Sequence, residues 1–161
     1  MKKFISLLFV LLLTVSVLAY ADQVSAVDVF VRRYNDCIAV FYKAFHQKYD
    51  PVEAVVTQTG ELMSFVLELH NGRLEGTADA ERIIAADVQA SDISGSLYIM
   101  GATAAVSSMV DLADILDPAK QLKYLSQTSD PDVVTTNGYV VEITERFKSG
   151  EAKRAIITLL P

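Results

Sequence analysis

The 18 residues 93–110, ISGSLYIMGATAAVSSMV, contain no charged side chain. A helix of this length either crosses a bilayer or lies inside a folded protein. Seven of the 18 residues are Gly, Ser or Thr, and the flanking charges, Asp92 and Asp111, are both acidic. A membrane span favours Lys or Arg at one boundary and aromatic residues at both. The run therefore predicts a buried helix at the centre of a bundle, and no stable membrane span in the mature chain.

Small residues recur along this segment. They allow neighbouring helices to approach closely, or they leave space between helices for a ligand. Both interpretations stay open. If the chain has a ligand cavity, we expect four residues to line it: Gly101, Ala104, Ala105 and Ser108.

The N-terminal residues have the pattern of a secretory signal. Lys2 and Lys3 precede the apolar segment 4–18, and Ala19-Tyr20-Ala21 is a small-x-small sequence that signal peptidase accepts. We predict a cleaved signal peptide over residues 1–21 and a single domain over residues 22–161. The mature protein is expected in the periplasm or outside the cell.

The chain is acidic, with a net charge of −6 that becomes more negative when the two lysines of the signal are removed. Proteins that bind nucleic acid or an anionic membrane surface present a basic face to the phosphates. The charge therefore argues against both kinds of partner.

Two stretches at the start of the predicted domain, 24–49 and 50–69, repeat apolar residues at steps of three and four, which predicts two amphipathic helices. The second begins with Asp50-Pro51 as a start signal and is followed by Asn71-Gly72 as a stop signal. We expect an antiparallel helix hairpin. The apolar positions are Val27, Phe30, Tyr34, Ile38, Phe41 and Phe45 in the first helix, and Val52, Val55, Thr59, Leu62, Val66 and Leu69 in the second.

The remaining segments complete an all-α prediction. Further helices are expected over residues 77–90, 92–116 and 118–127. Short connections between helices are typical of a compact bundle, here of about five to seven helices. In it, the small-residue helix lies at the centre and the N-terminal hairpin packs around it.

Residues 133–144 are compatible with two structures. Asn137-Gly138 between β-branched runs is the signature of a β-hairpin, which would make the fold α+β. However, residues 133–150 match residues 55–72 at Val-Val-Thr, at an inner glycine and at a closing glycine. Because the earlier segment has the helical pattern, we favour a helix and keep the hairpin as the alternative.

No arrangement of residues predicts catalysis, a metal or a cofactor. The two histidines, His46 and His70, lack the glutamate spacing of di-iron bundles. Asp111, Asp114 and Asp117 are more typical of a solvated helix end than of a calcium site, which needs a flexible loop and more oxygen ligands.

The first helix carries the other candidate residues. Tyr42, His46 and Tyr49 lie near one another and form a possible recognition patch, with an ordinary amphipathic surface as the alternative. Cys37, the single cysteine, lies among apolar residues, which favours burial. A disulfide to another chain is the alternative.

These observations leave two functional hypotheses. The first is a small exported, non-catalytic helical protein that binds a protein partner in the bacterial envelope, as an accessory, an inhibitor or an immunity-type factor. The second is a periplasmic carrier of an apolar small molecule or lipid in the bundle interior. The missing catalytic motifs argue against an enzyme, and the oligomeric state does not follow from the sequence.

Overall fold

The computed structural model describes residues 25–107 and 132–161. They form an α+β fold in which two helices pack on one face of a seven-stranded antiparallel sheet. The elements are α1 (Ala26–Ala44), β1 (Ala54–Thr59), β2 (Leu62–Leu69), β3 (Gly72–Ala78), β4 (Ile83–Ala90), α2 (Gly95–Val106), β5 (Val133–Thr136), β6 (Tyr139–Arg146) and β7 (Ala152–Leu159).

The strand order is β1-β2-β3-β4-β7-β6-β5. β1 to β4 follow one another as neighbours, and so do β5 to β7, but the second group runs inward from the opposite edge. The two groups meet where β4 pairs with β7. This leaves β1 and β5 as the two edge strands of the sheet.

Alternation of side chains divides the sheet into a helix-covered face and an open face. One continuous row on the covered face crosses six strands and is apolar throughout: Ala54, Leu67, Leu74, Val88, Ala155 and Ile143. On the open face, the adjacent row contains the charged residues Glu75, Asp87 and Glu142. The row beyond it is uncharged and consists mostly of small residues: Thr57, Ser64, Thr77, Ala85, Thr158, Val140 and Thr135. The hydrophobic core therefore lies between the helices and the sheet.

Helix α1 begins where the sequence supplies a capping box. The Ser25 hydroxyl accepts a hydrogen bond from the Asp28 backbone N–H at 3.1 Å, and the Asp28 carboxylate accepts one from the Ser25 N–H. The apolar stripe then buries Val27, Phe30 and Tyr34 against the sheet and α2. The prediction of this helix is confirmed, although it ends at Ala44.

Cys37 is buried in α1, as its position on the apolar stripe predicts. Burial raises the pKa of its thiol to about 11, so the thiol stays protonated and unreactive at neutral pH.

Helix α2 contains the small-residue segment and packs directly against α1. A Cβ atom at Gly101 would lie 2.7 Å from Ile38 Cδ1 and 3.0 Å from Tyr34 Cε2. Any larger residue at position 101 would therefore force Ile38 or one of the two helices to move. Gly101 thus sets the separation of α1 and α2. In the described residues, the small side chains serve close packing, which was one of the two interpretations of this segment.

The predicted all-α bundle is wrong, and the predicted second helix is instead the hairpin β1–β2. In β2 every second residue, including Met63, Phe65 and Leu67, faces the helices. Val66 and Leu62 also carry apolar side chains, on the open face, so a three-and-four pattern fits the same residues. Because β1 is rich in β-branched residues and β2 pairs with it along its length, the hairpin prevails.

The helix predicted over residues 77–90 is also wrong, since this segment ends β3 and forms β4. The C-terminal segment forms the β-hairpin that was kept as the alternative, with Asn137-Gly138 as its turn. That hairpin is part of the large sheet and not an appendage to a helical domain.

Several predictions fall outside the described residues. They are the signal peptide 1–21, the helix 118–127, the end of the helix 92–116 with Asp111 and Asp114, and Ser108. Within the described ranges, neither helix is long and apolar enough to cross a membrane.

Candidate ligand cavity

A cavity of about 340 Å³ opens beside the C-terminal half of α1. Its walls come from α1, from the segment that joins α1 to β1, from the end of β2 and from α2. Four tyrosines dominate it, and we call it the tyrosine cavity: Tyr34, Tyr42, Tyr49 and Tyr98. Ile38, Val52 and Leu69 add aliphatic surface, and the exposed residues Lys48, Asp50 and His70 stand at its mouth.

Asn35 fixes the segment that forms one wall of the cavity. Its Nδ2 donates to the Val52 carbonyl at 2.8 Å, and its Oδ1 accepts from the Val52 N–H at 3.0 Å. The same Oδ1 accepts from the Tyr49 hydroxyl at 2.6 Å. One side chain of α1 thus satisfies both backbone groups of Val52, as a neighbouring strand would, and holds Tyr49 against the helix.

Tyr42 and Tyr49 form a paired aromatic wall. Their ring centroids lie 5.2 Å apart with the ring planes tilted by 44°. This is within the range of favourable aromatic contacts. Burial raises the pKa of Tyr49 to about 12, so its hydroxyl is neutral at physiological pH and donates to Asn35.

Tyr98 closes the cavity from α2. Its hydroxyl accepts a hydrogen bond from the Asn71 N–H at 3.4 Å. Asn71 in turn donates from Nδ2 to the Asp92 carboxylate at 2.7 Å, and that carboxylate also accepts from the Ser94 N–H at 2.9 Å. These bonds lower the pKa of Asp92 and link the β2–β3 turn to the start of α2.

Tyr34 forms the inner end of the cavity and is 1 % exposed. Among the described residues, its hydroxyl has no hydrogen-bond partner, in contrast to buried Tyr139, which donates to the Ile83 carbonyl at 2.9 Å. Burial raises the pKa of Tyr34, and the nearby hydroxyls of Tyr49 and Tyr98 raise it further. The group is therefore a neutral phenol with an unused donor.

The structure brings together only part of the predicted recognition patch. Tyr42 and Tyr49 both line the cavity, but His46 does not. The reason is that α1 ends at Ala44 and His46 has a φ of 55°, which turns the chain away from the helical path. His46 is exposed and lies outside the site.

The predicted cavity residues of α2 are dispersed. Gly101 lies behind Tyr34 and sets its position without lining the cavity. Ala104 is half-buried and lines neither this cavity nor a larger one of about 640 Å³, in whose wall Ala105 lies. Ser108 is outside the described residues.

The larger cavity lies at the other end of α1, between Phe30, Ile83 and Tyr139. Its wall also includes Val106, next to Ser107, the last residue described before position 132. Because the wall of this cavity reaches the boundary of the described residues, we assign no site to it.

Sequence reasoning missed most of the tyrosine cavity. The apolar stripe of α1 places Tyr34 in the core, and no spacing in the sequence connects it with Tyr98, Val52, Leu69 or His70. They come from separate elements that only the tertiary fold brings together, so no local pattern was available to find them.

In the described part of the chain, no group of three or more His, Cys, Asp or Glu side chains is placed to hold a metal ion. Comparison of the chain with models of protein families, with curated proteins and with solved structures finds no match.

Proposed function

We propose that the protein is an exported, non-catalytic binding protein that holds a small, largely apolar ligand in the tyrosine cavity. The observation that carries this proposal is the cavity itself: about 340 Å³ of space walled by four aromatic rings and three aliphatic side chains. Ligand sites are commonly apolar clefts of about 300–1,000 Å³ with a few polar groups that fix orientation.

The polar groups of the cavity support binding over catalysis. Tyr49 is bonded to Asn35, and Asp50 forms an ion pair with Lys48 at 2.7 Å in the solvent. Among the described lining residues, no hydrogen bond joins a nucleophile to a general base, which is the arrangement that covalent catalysis requires.

The predicted signal peptide adds the location to this proposal. A carrier in the periplasm or outside the cell would collect or deliver an apolar compound in an aqueous compartment. The acidic charge of the chain fits such a role, because it does not attract the protein to anionic membrane surfaces.

The test uses isopropylnaphthalene as an uncharged, apolar probe of this size. Calorimetric titration of the mature protein should show saturable binding at one site. Val52→Phe adds bulk to the half-buried cavity wall and should weaken binding at least tenfold, whereas Val55→Phe, on the exposed edge strand, should leave it unchanged. Absence of binding to the wild-type protein, or equal binding by the two variants, would contradict the proposal.

A protein-binding accessory, inhibitor or immunity-type factor is the second candidate, and edge strand β1 favours it. Its sequence AVVTQT carries no charge, and Val55 is 69 % exposed. Uncharged edge strands are templates for pairing with an extended segment of another protein. A partner in the envelope would then add a strand beside β1.

This second candidate has its own test. A stoichiometric partner cross-linked to the wild-type protein in envelope extract should be lost with Val55→Lys, because a charge on the edge opposes strand addition. It should be kept with Thr135→Lys on the opposite edge. If both variants retain the partner, β1 is not the binding strand.

A further inference from the structure

Tyr34 is the most buried of the four tyrosines that line the tyrosine cavity. The Tyr34 side chain is 1 % exposed, and proteins ordinarily pair a polar group at such depth. Two other hydroxyls of the cavity are paired, since Tyr49 bonds to Asn35 and Tyr98 to the Asn71 backbone. The fourth, that of Tyr42, belongs to a side chain that is only half-buried. Tyr34 has no such bond among the described residues, and it lies at the inner end of the space.

The fold holds this hydroxyl in place. Gly101 lets α2 pack tightly on the Tyr34 ring, since a Cβ atom at this position would lie 3.0 Å from Tyr34 Cε2, and the side chain is 1 % exposed. A tyrosine so confined presents its hydroxyl in one direction. The Tyr34 hydroxyl is therefore a preformed hydrogen-bond donor, because its side chain has no room to rotate toward solvent.

The hydroxyl selects for one chemistry. As a neutral phenol it donates one hydrogen bond and accepts others, so it pairs well with an uncharged oxygen acceptor. An anion at that depth would be desolvated. Lys48 and His70 both stand at the mouth of the cavity, and Lys48 is paired there with Asp50, so neither compensates a charge at the inner end.

The walls select for the shape of the rest of the ligand. The tilted rings of Tyr42 and Tyr49, the ring of Tyr98 and the aliphatic side chain of Val52 offer flat apolar surface and few donors. Aromatic surfaces of this kind favour a planar ring system stacked or set edge-on against them.

We propose that Tyr34 is the orienting donor of the tyrosine cavity, and that the ligand is an uncharged planar ring compound that turns a carbonyl oxygen toward the Tyr34 hydroxyl. This inference rests on the proposed ligand-binding function and adds the chemical class of the ligand to it.

The experiment compares two probes of equal size. In acetylnaphthalene, a carbonyl oxygen takes the place of one methyl group of isopropylnaphthalene. One net hydrogen bond corresponds to about a three- to tenfold difference in Kd. Calorimetric titration should therefore give tighter binding of the ketone by that factor. In the infrared spectrum, the carbonyl stretch of the bound ketone should move to lower wavenumber than in hexane.

Tyr34→Phe removes the hydroxyl and keeps the ring. It should abolish the preference for the ketone and the infrared shift, while the Kd of the hydrocarbon stays within about twofold. The matched control is Tyr139→Phe, which removes a buried hydroxyl far from the cavity and should keep both the preference and the shift. Naphthoate, the charged analogue, should bind no more tightly than the hydrocarbon.

The outcomes separate the two proposals. If neither neutral probe binds, the ligand-binding function fails and this inference fails with it. If both bind equally to the wild-type protein, or if the preference survives in Tyr34→Phe, the cavity is a ligand site but Tyr34 does not orient the ligand. If naphthoate binds as tightly as the ketone, the ligand class is wrong.

Discussion

The hairpins β1–β2 and β5–β6 share a sequence pattern and occupy opposite edges of one sheet, yet they differ in turn and in burial. Residues 55–72 and 133–150 match at Val-Val-Thr, at an inner glycine and at a closing glycine. Aligned residues face the same side, as Phe65 and Ile143 show, since both point toward the helices. The resemblance between the two segments therefore reflects a common local structure.

The turns differ because of a single aligned pair, Thr59 and Asn137. In β5–β6 the loop is Asn137-Gly138, with φ values of 47° and 78°. Asn tolerates this left-handed region, whereas β-branched Thr does not. In β1–β2 the loop therefore moves one residue along the chain to begin at Gly60, with φ of 65°, and Thr59 remains in the strand opposite Leu62. Aligned residues of the two hairpins therefore lie on the same face of the sheet, although their partners on the neighbouring strand differ.

Burial differs because only one hairpin lies well under a helix. Phe65, Leu67 and Leu69 of β2 are buried, and Phe65 contacts Phe30 of α1 at a centroid distance of 5.5 Å. The distal half of β6 is exposed and is held instead by ion pairs such as Glu145 with Lys153 at 2.8 Å. Exposed pairs contribute little stability, so the first hairpin should contribute more to the core.

The largest expected difference is between the aligned residues Phe65 and Ile143. Phe65→Ala should lower the free energy of unfolding by about 3–5 kcal/mol, because it empties a fully buried site under α1. Ile143→Ala should cost about 1–2 kcal/mol, since that side chain is only half-buried. Urea unfolding followed by circular dichroism measures both. Equal losses would show that the two hairpins contribute equally.

A second, smaller effect should follow from exchanging the residues at the turns. Asn137→Thr places a β-branched residue at a φ of 47° and removes the bond from Asn137 Nδ2 to the Val106 carbonyl at 3.1 Å. We expect a loss of about 1–3 kcal/mol. Thr59→Asn should change stability by no more than about 0.5 kcal/mol, because Asn is acceptable in the strand end and in the turn. A comparable loss in both variants would contradict the account of the turns.

The smallest difference is expected at the edges. Val56 is 45 % exposed on β1, whereas the aligned Val134 packs against the core. Val56→Thr should alter the free energy of unfolding by less than about 0.5 kcal/mol. Val134→Thr should cost about 1 kcal/mol, because it places a hydroxyl in an apolar contact. Thermal and urea midpoints distinguish the two, and an opposite order would mean that β1 is covered in the folded protein.

The same two hairpins explain why the sheet was not predicted. Both helices of the described structure were predictable, one from its stripe of apolar residues and the other from its lack of charge. Residues 62–69, however, are apolar at six of eight positions, LMSFVLEL, and so fit a period of 3.6 as well as a period of 2. Residues 133–150 do resemble residues 55–72. Because the pattern of the first segment predicts a helix, the resemblance predicts a helix for the second segment as well, and both predictions are wrong.

Only part of the tyrosine cavity was predictable. Tyr42 and Tyr49 are predictable as a pair because they lie near each other in the sequence. Tyr34 belongs to the same buried stripe as Phe30, and stripe position alone does not distinguish a packed ring from one that faces a cavity. Tyr98 comes from α2, and the contact of α2 with α1 through Gly101 depends on the sheet that brings both helices to one face.

The composition of the cavity wall also makes it a built-in optical reporter. The chain has no tryptophan, and four of its seven tyrosines line the cavity. Excited at the tyrosine absorption band, the protein should therefore emit mainly from the walls of its own binding site. A ketone seated against these rings would quench that emission, so occupancy can be followed by light without a label or an added dye.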